Sequence, residues 1–515
     1  MKKCIVIGAG PCGIAAVKEL LEKGINDIVC YEQSTGIGGV FAKSYDNLKL
    51  TSSTTFSMFS DFWVGEDKEN VFWSKKEAVH YWQEYSDHFK VTPNIEFNQT
   101  VKKVTSLGES ETGEEGWQVE LASGLIEECE HLVLAIGNNQ TPSYPEWKDQ
   151  LTDIEYSHVK TYSNAKSYKD KRVLIIGGGE SASDVAKEVS QVAKQCWVSL
   201  RNSTGWVVPR TRGGIAADIS SHRGLWTLPP SSGNAISKTL LERERGQNKK
   251  VFDAVVSLNE MVNSKYGFRG IYGTKTLALA EAIAEHGCKV VSGIKQVVNG
   301  GATLELNDGN ILTDIDVVIF CTGYKNSISF LPEQFRNTDA RSLYKHIFNP
   351  VTKDRIVWLG MARPGFGSQF PIMEMQSRLM ALIIAKEHQL PSVTGMEQVA
   401  AADCAHYLEV FQENGQRIRS LVDYFYYMDD LAHLMGCTPP LIKYFFLHPK
   451  LWIHLVYGPT QATQFRLRGP GSKTKTAHKI LHKLPISGFN TLVKAGLLGR
   501  IKYSYRLFIP KQQNI

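Results

Sequence analysis

No two of the nine cysteines stand in a C-x-x-C or C-x-x-x-x-C spacing, which excludes a dithiol–disulfide pair as the chemistry of this chain. The cysteines are odd in number and scattered, and with no export signal they read as reduced thiols. No apolar run reaches the roughly 18 residues that a membrane-crossing helix needs. There is no internal repeat at solenoid periods, no low-complexity tract and no metal-ligating cluster. Acid is missing from one end. From Leu431 to the C-terminus there is no Asp or Glu, while thirteen Lys or Arg run from Lys443 to Lys511. The net charge of +6 thus divides into a basic end and a remainder carrying −7. Two readings of that end stay open: residues 431–515 rest on an anionic membrane surface, or they dock on the acidic body of their own protein. Nucleic acid is not expected as a partner, and an oligomer is left open.

What is present is an ordinary globular composition, 43% hydrophobic and 21% charged. A chain of 515 residues is too long for one simple core and predicts two or three domains. The N-terminal "MKKCIVIGAG" has a short apolar run leading straight into glycines. It reads as a buried strand and not as a secretory signal, so the expected location is the cytoplasmic side of the cell.

That strand opens the first of two similar patterns. Gly8, Gly10 and Gly13 have the spacing G-x-G-x-x-G, followed by a helical run to Gly24 and a second strand ending in Glu32. The first glycine permits a tight turn, the second lets a pyrophosphate approach the backbone, and the third lets helix and strand pack. The helix N-terminus offers amide donors to phosphate, and the carboxylate of Glu32 stands at the spacing that holds ribose hydroxyls. Shortly afterwards "GIGGVF", with Gly39, Val40 and Phe41, lets backbone approach something flat and large, the flavin side of an FAD.

The second pattern, "KRVLIIGGGESASDVAKEV", repeats the logic with Gly177, Gly179 and Ala182. Its next strand ends in Ser199-Leu200-Arg201 rather than in an acid. A guanidinium binds a 2′-phosphate that a carboxylate repels, so this site is expected to take NADPH. Two dinucleotides in one chain imply hydride transfer from nicotinamide to flavin. The turns "HLVLAIGN" (131–138) and "DVVIFCTGYKN" (316–326) flank the second pattern. The expected fold is therefore α/β, with two Rossmann-like domains. The NADPH domain (166–324) is inserted into the FAD domain (1–165 and 325–420), and a mostly helical, basic C-terminal region follows (421–515).

At this point the chain resembles the flavin-containing monooxygenases over nearly its whole length. The resemblance rests on "GAGPCG" (8–13), Glu32, "FSDF" (59–62), "GGGESASD" (177–184), "SLRNSTGWVVPR" (199–210) and "CTGY" (321–324). More specific are "LYKHIFNP" (343–350), "FPIMEMQSR" (370–378), "DYFYYMDDLA" (423–432) and "QFRLRGPG" (464–471). It implies FAD and NADPH as cofactors, with further contacts from Pro11, Cys12, Glu180, Ser181, Gly323, Tyr324 and Gln376. It also implies that O2 adds to the reduced flavin as a C4a-hydroperoxide. A nucleophilic nitrogen or sulfur of a small molecule then takes the distal oxygen. Animal-type members carry a membrane-associated C-terminal region, in keeping with the basic end.

Three places depart from the family pattern. Thr51 stands where the family commonly has an Asn that contacts flavin and NADP+, so Thr51 and Ser52 are the candidates for that catalytic role. Of the signature F-x-G-x-x-x-H-x-x-x-Y only His158 and Tyr162 are present, and His158 reads as a contact between domains. Phe41 stands where the family often has Trp. Residues 211–275 match poorly; "RTRGGIAADISSHRGLW" and "PPSSGN" read as loops and "SKTLLERERGQNKKVFDAVVSLNEMV" as helix. The alternatives within this reading are an NADPH oxidase, a Baeyer–Villiger monooxygenase and a single-component flavin-dependent halogenase. Outside enzymes, the alternative is a redox-sensing flavoprotein scaffold.

Overall fold

The structure, a computed structural model, describes all residues except 69, 109–114, 247 and 487–515. Lys2–Ile7, apolar and buried from Cys4 onward, is a central strand of an eight-stranded sheet. It pairs in parallel with Ile28–Tyr31 on one side and with Ile126–Leu134 on the other. Lys353–Trp358 pairs in parallel beyond Ile126–Leu134, and Val101–Ser106 and Trp117–Leu121 extend the sheet as an antiparallel meander. The helix Pro11–Glu22 starts at a proline whose fixed φ suits the first helical position. It is buried from Pro11 to Leu20 and packs against the helix Gln369–Ile384.

A second sheet has five strands, all parallel, in the order Lys289–Ser292, Gln195–Leu200, Arg172–Ile176, Val317–Phe320, Glu155–His158. Every one of them lies between Leu134 and Phe348 in the chain. The first, Glu155–His158, precedes residue 166, where the sequence places the start of the second unit. Where the chain crosses between sheets, Thr141–Pro142 pairs with Tyr324–Lys325. His158 sits at this crossing, buried, with Nε2 on the Gly323 carbonyl at 3.1 Å and Nδ1 accepting from the Lys160 N–H at 3.1 Å. Burial lowers its pKa, and both ring nitrogens are committed to backbone.

Residues 211–275 are more ordered than their composition suggests. Gly213 and Gly214, both with positive φ, turn a short hairpin between Thr211–Arg212 and Ile215–Ala216. "PPSSGN", read as a loop, forms the beginning of the helix Pro230–Arg245, because Pro230 stands at the first helical position, where proline is favoured. A separate helix, Lys249–Glu260, follows, capped by Asn248.

The C-terminal region is helical as described, with Tyr424–Leu434, Leu441–Leu447, Pro449–Tyr457 and Thr474–Lys483. Its basic residues meet acids of the first sheet's unit. Arg466 pairs with Glu19 at 2.5 Å and Glu374 at 2.8 Å, Lys473 with Glu22 at 2.5 Å and Asp61 at 2.6 Å, and Lys483 with Glu66. Among the described residues no helix is long and apolar enough to cross a membrane. The basic residues from Lys494 to Lys511 lie outside the described residues.

Candidate functional site: two glycine turns and the polar network between them

The first glycine turn has the backbone its sequence requires. Gly8 takes a φ of 100°, which only glycine adopts freely. A Cβ at Gly13 would lie 1.8 Å from the Gly8 carbonyl oxygen, so helix and strand touch there. Gly10 ends the turn as the helix N-cap, with no side chain bonded across the free amides. Opposite it stands Gly39, whose added Cβ would meet the Gly10 Cα at 3.3 Å. Two stretches of bare backbone thus face each other at a helix N-terminus, the arrangement that a pyrophosphate needs. Glu32 lies beside them, its carboxylate accepting from the Ala9 and Ser34 N–H groups at 2.8 Å each. Pro11 and Cys12 are buried in the first helical turn, and the Cys12 sulfur borders Gly360. Burial pushes the Cys12 thiol up to about 12. Val40 is exposed, and Phe41 packs between Trp82 and Phe370, with ring centroids 5.2 and 5.8 Å away.

The second turn matches it. Gly177 has a φ of 127°, and its Cβ would strike the Cys321 carbonyl at 2.4 Å. Gly179 is the N-cap of the helix Glu180–Ser190 and has nothing within 4 Å of its missing Cβ. Ala182, buried at the third position, fits where Gly13 alone fits in the first turn. Glu180 and Ser181 open the helix, half-buried. Arg201 is exposed at the end of its strand, free to meet an anion. Gly323 and Tyr324 lie at the crossing, where the Tyr324 ring meets His158 at 5.1 Å.

Two assigned side chains point elsewhere. Ser199 is buried, and its hydroxyl donates to the Ser292 carbonyl at 2.8 Å; only its own carbonyl faces the turn, accepting from the Gly177 N–H at 3.1 Å. Gln376 is fully buried, with Oε1 accepting from the Gly360 N–H at 2.9 Å and Nε2 donating to the Tyr427 hydroxyl at 2.7 Å. Its amide holds the Gly360 turn beside Cys12 and the Tyr427 hydroxyl, so it positions backbone from within the core.

Between the turns runs a chain of polar contacts. Thr51 is half-buried; Ser52 is buried and bonded to the hydroxyls of Ser57 at 2.9 Å and Ser368 at 3.2 Å. Ser53 donates its N–H and its hydroxyl to the two oxygens of Asp218, at 2.7 and 2.8 Å. Lys275 gives an Nζ proton to the Gly367 carbonyl, and its backbone N–H donates to Glu180 at 3.1 Å. Glu180, Lys275, Gly367, Ser368, Ser52, Ser53 and Asp218 therefore link the second turn to the segment carrying Thr51. A further link is Tyr45, whose hydroxyl donates to Asp184 at 2.7 Å. Burial raises the Asp218 pKa and lowers that of Lys275. Sequence reading missed Asp218 and Lys275. They lie in the stretch that matched the family poorly, and no short spacing ties 51–53 to 218, 275 and 368.

The chain matches the family model described as FMO-like, flavin-binding monooxygenase-like, over residues 1–486. It is similar to a 4-hydroxybenzoate brominase (decarboxylating) of Marinomonas mediterranea, 34% identical over 94% of this chain and 93% of that one. It is also similar to flavin-containing monooxygenase 5 of Rattus norvegicus, 29% identical over 91% of this chain and 89% of that one. Among solved structures, S-allyl-L-cysteine S-oxygenase from Allium sativum shares the fold, with a TM-score of 0.60, 17% identity, and coverage of 98% of this chain and 99% of that one.

Proposed function

Because the chain belongs to the flavin-binding monooxygenase-like family, a flavin-dependent monooxygenase using FAD and NADPH, we propose that its activated oxygen serves the halogenation of a hydroxylated benzoate. In this reading FAD would lie along Gly8–Gly13, Glu32 and Gly39–Phe41, in a unit made of residues 1–165 and 325–420 apart from the strand Glu155–His158, which pairs into the second sheet. NADPH would lie along Gly177–Ser181 and Arg201, in the unit of residues 166–324 that this strand completes. Bound FAD, once reduced by NADPH, supplies the electrons that activate O2. The protein's part is to hold both nucleotides by backbone and helix ends, to keep water from the reacting atoms, and to bring a nucleophile into line. Thr51, half-buried, and Ser52, buried, would take the place of the family's Asn.

One observation carries the choice of substrate. The polar network between the turns bears a carboxylate and an ammonium, Asp218 and Lys275, bonded to Ser53 and Gly367. Such a pair suits an anionic, hydroxyl-bearing arene better than a lipophilic amine, and it agrees with the likeness to a brominase acting on 4-hydroxybenzoate. The test is product analysis with NADPH and O2, supplying 4-hydroxybenzoate with bromide in one arm and dimethylaniline or a thioether in the other. Bromide-dependent ring bromination is the expected result. N-oxide or sulfoxide formation without bromide would favour oxygenation of nitrogen or sulfur, the second reading, which the likeness to flavin-containing monooxygenase 5 supports. Peroxide release alone would make the protein an oxidase.

The 2′-phosphate assignment has its own test. Arg201→Ala should raise KM for NADPH by about 10- to 150-fold, the roughly 1.5–3 kcal/mol of a charge-assisted contact, and barely change KM for NADH. Equal losses for both nucleotides would remove Arg201 from the site.

The basic end keeps a proposal of its own. Ile442, Phe446 and Leu447 are exposed beside exposed Lys443 and Lys450, an edge suited to an anionic lipid surface.

A further inference from the structure

Asp218 comes from the short helical turn Ala217–Ser220 that follows the hairpin, and Lys275 from the segment before the helix Ala278–His286. Both are half-buried as residues. Ser53 grips both carboxylate oxygens of Asp218, fixing their direction, and each oxygen retains a second lone pair. Lys275 spends one ammonium proton on Gly367 and has two left.

We propose that Asp218 is the base that takes the hydroxyl proton of the arene substrate, and that Lys275 holds the phenolate so formed. This rests on the hydroxyarene reading above. In the step the aryl O–H bond breaks, the proton forms an O–H bond on Asp218, and the electron pair stays on the aryl oxygen. That oxygen pushes electron density into the ring and makes its carbons reactive toward an electrophile. The environment favours the transfer from both sides. A phenol ionises near about 10 in water, and an adjacent ammonium lowers that value. Burial raises Asp218 against the Ser53 hydrogen bonds and the Lys275 charge. Burial lowers Lys275, with Arg363 adding to that effect and Glu180 and Asp218 opposing it.

The experiment is ultraviolet difference spectroscopy of 4-hydroxybenzoate bound to the oxidised, FAD-loaded protein at pH 7, which reads the ligand's ionisation without any turnover. The wild-type protein should bind it as the phenolate. Asp218→Asn, with FAD content unchanged, should bind within about threefold of the wild-type Kd but leave the ligand as phenol, its ionised fraction lower by about tenfold or more. Its turnover should recover as pH rises toward the phenol's own ionisation. Lys275→Met should weaken binding by about tenfold or more. For 4-methoxybenzoate, which has no proton to give, Asp218→Asn should make no difference. Wild-type protein that binds 4-hydroxybenzoate as neutral phenol, or an Asn variant that still binds phenolate, overturns the base while leaving the substrate class standing. Wild-type protein that neither binds nor halogenates it overturns both.

Discussion

Arg466→Met should lower stability by about 3–5 kcal/mol, the cost of leaving buried charges without their partner. Arg466 is fully buried, and it meets Glu19 at 2.5 Å, Glu374 at 2.8 Å and Asp61 at 3.8 Å, none of them more than 5% exposed at the side chain. It also donates to the Ser60 hydroxyl at 2.8 Å and to the Gly471 carbonyl at 3.0 Å. Lys18, buried beside it, pairs with Glu19 and Asp61. Burial on its own would raise Glu19, but the Arg466 and Lys18 charges outweigh it and hold the carboxyl at about 2. The melting temperature should fall by roughly 5 to 10 °C. Replacing Glu19 and Glu374 by Gln in the same protein should return part of the loss, because neutral partners no longer need the guanidinium. An Arg466→Met protein that melts with the wild type would show that the network is dispensable. The network also sets acid sensitivity. Glu19 is depressed in the folded state, so its contribution is complete above the unfolded value near about 4.3 and fades as pH falls toward about 2. Acid unfolding monitored by tryptophan fluorescence should steepen in that window, and less so in Glu19→Gln.

Gly13→Ala and Gly10→Val should fail in different ways. At Gly13 a methyl group would sit 1.8 Å from the Gly8 carbonyl oxygen and 2.9 Å from its carbon. Backbone cannot rotate away like a side chain, so the first helix must lift off the central strand. The cost should reach or exceed the roughly 3 kcal/mol upper end of ordinary overpacking, and little folded protein should be recovered. At Gly10 an added Cβ meets only the Gly39 Cα at 3.8 Å. The fold should survive, but the larger side chain fills the gap between the two bare backbones where the pyrophosphate is proposed to lie. Circular dichroism should therefore be near normal for Gly10→Val, with the flavin absorbance lost. Normal FAD content in Gly10→Val would move the nucleotide elsewhere, and a well-folded Gly13→Ala would refute the helix–strand contact.

The two glycine turns were legible because their constraints are local. A strand that must turn within two residues and feed a helix needs positive φ at Gly8 and Gly177, and the residue types at those places say so. The charge asymmetry was legible too, but not its address. Arg466 and Glu19 are 447 residues apart, and nothing in their spacing pairs them. Of the two readings of the basic end, docking on the protein's own acids describes Arg466, Lys473 and Lys483. Ser199 and Gln376 show the reverse. Their motifs were recognised, yet the direction of each side chain was set by neighbours on other strands and helices, Ser292 in one case and Gly360 with Tyr427 in the other.

By itself, then, the sequence determined where backbone must be bare, where strands must be apolar and which end carries the cations. These follow from local sterics and from composition. Only the tertiary structure decided that Asp218 and Lys275 stand over Ser53 and Gly367. Their juxtaposition depends on how a short helical turn, a strand end and a helix entry pack together, and a polar group's partner is chosen by whichever atom that packing brings within hydrogen-bond reach.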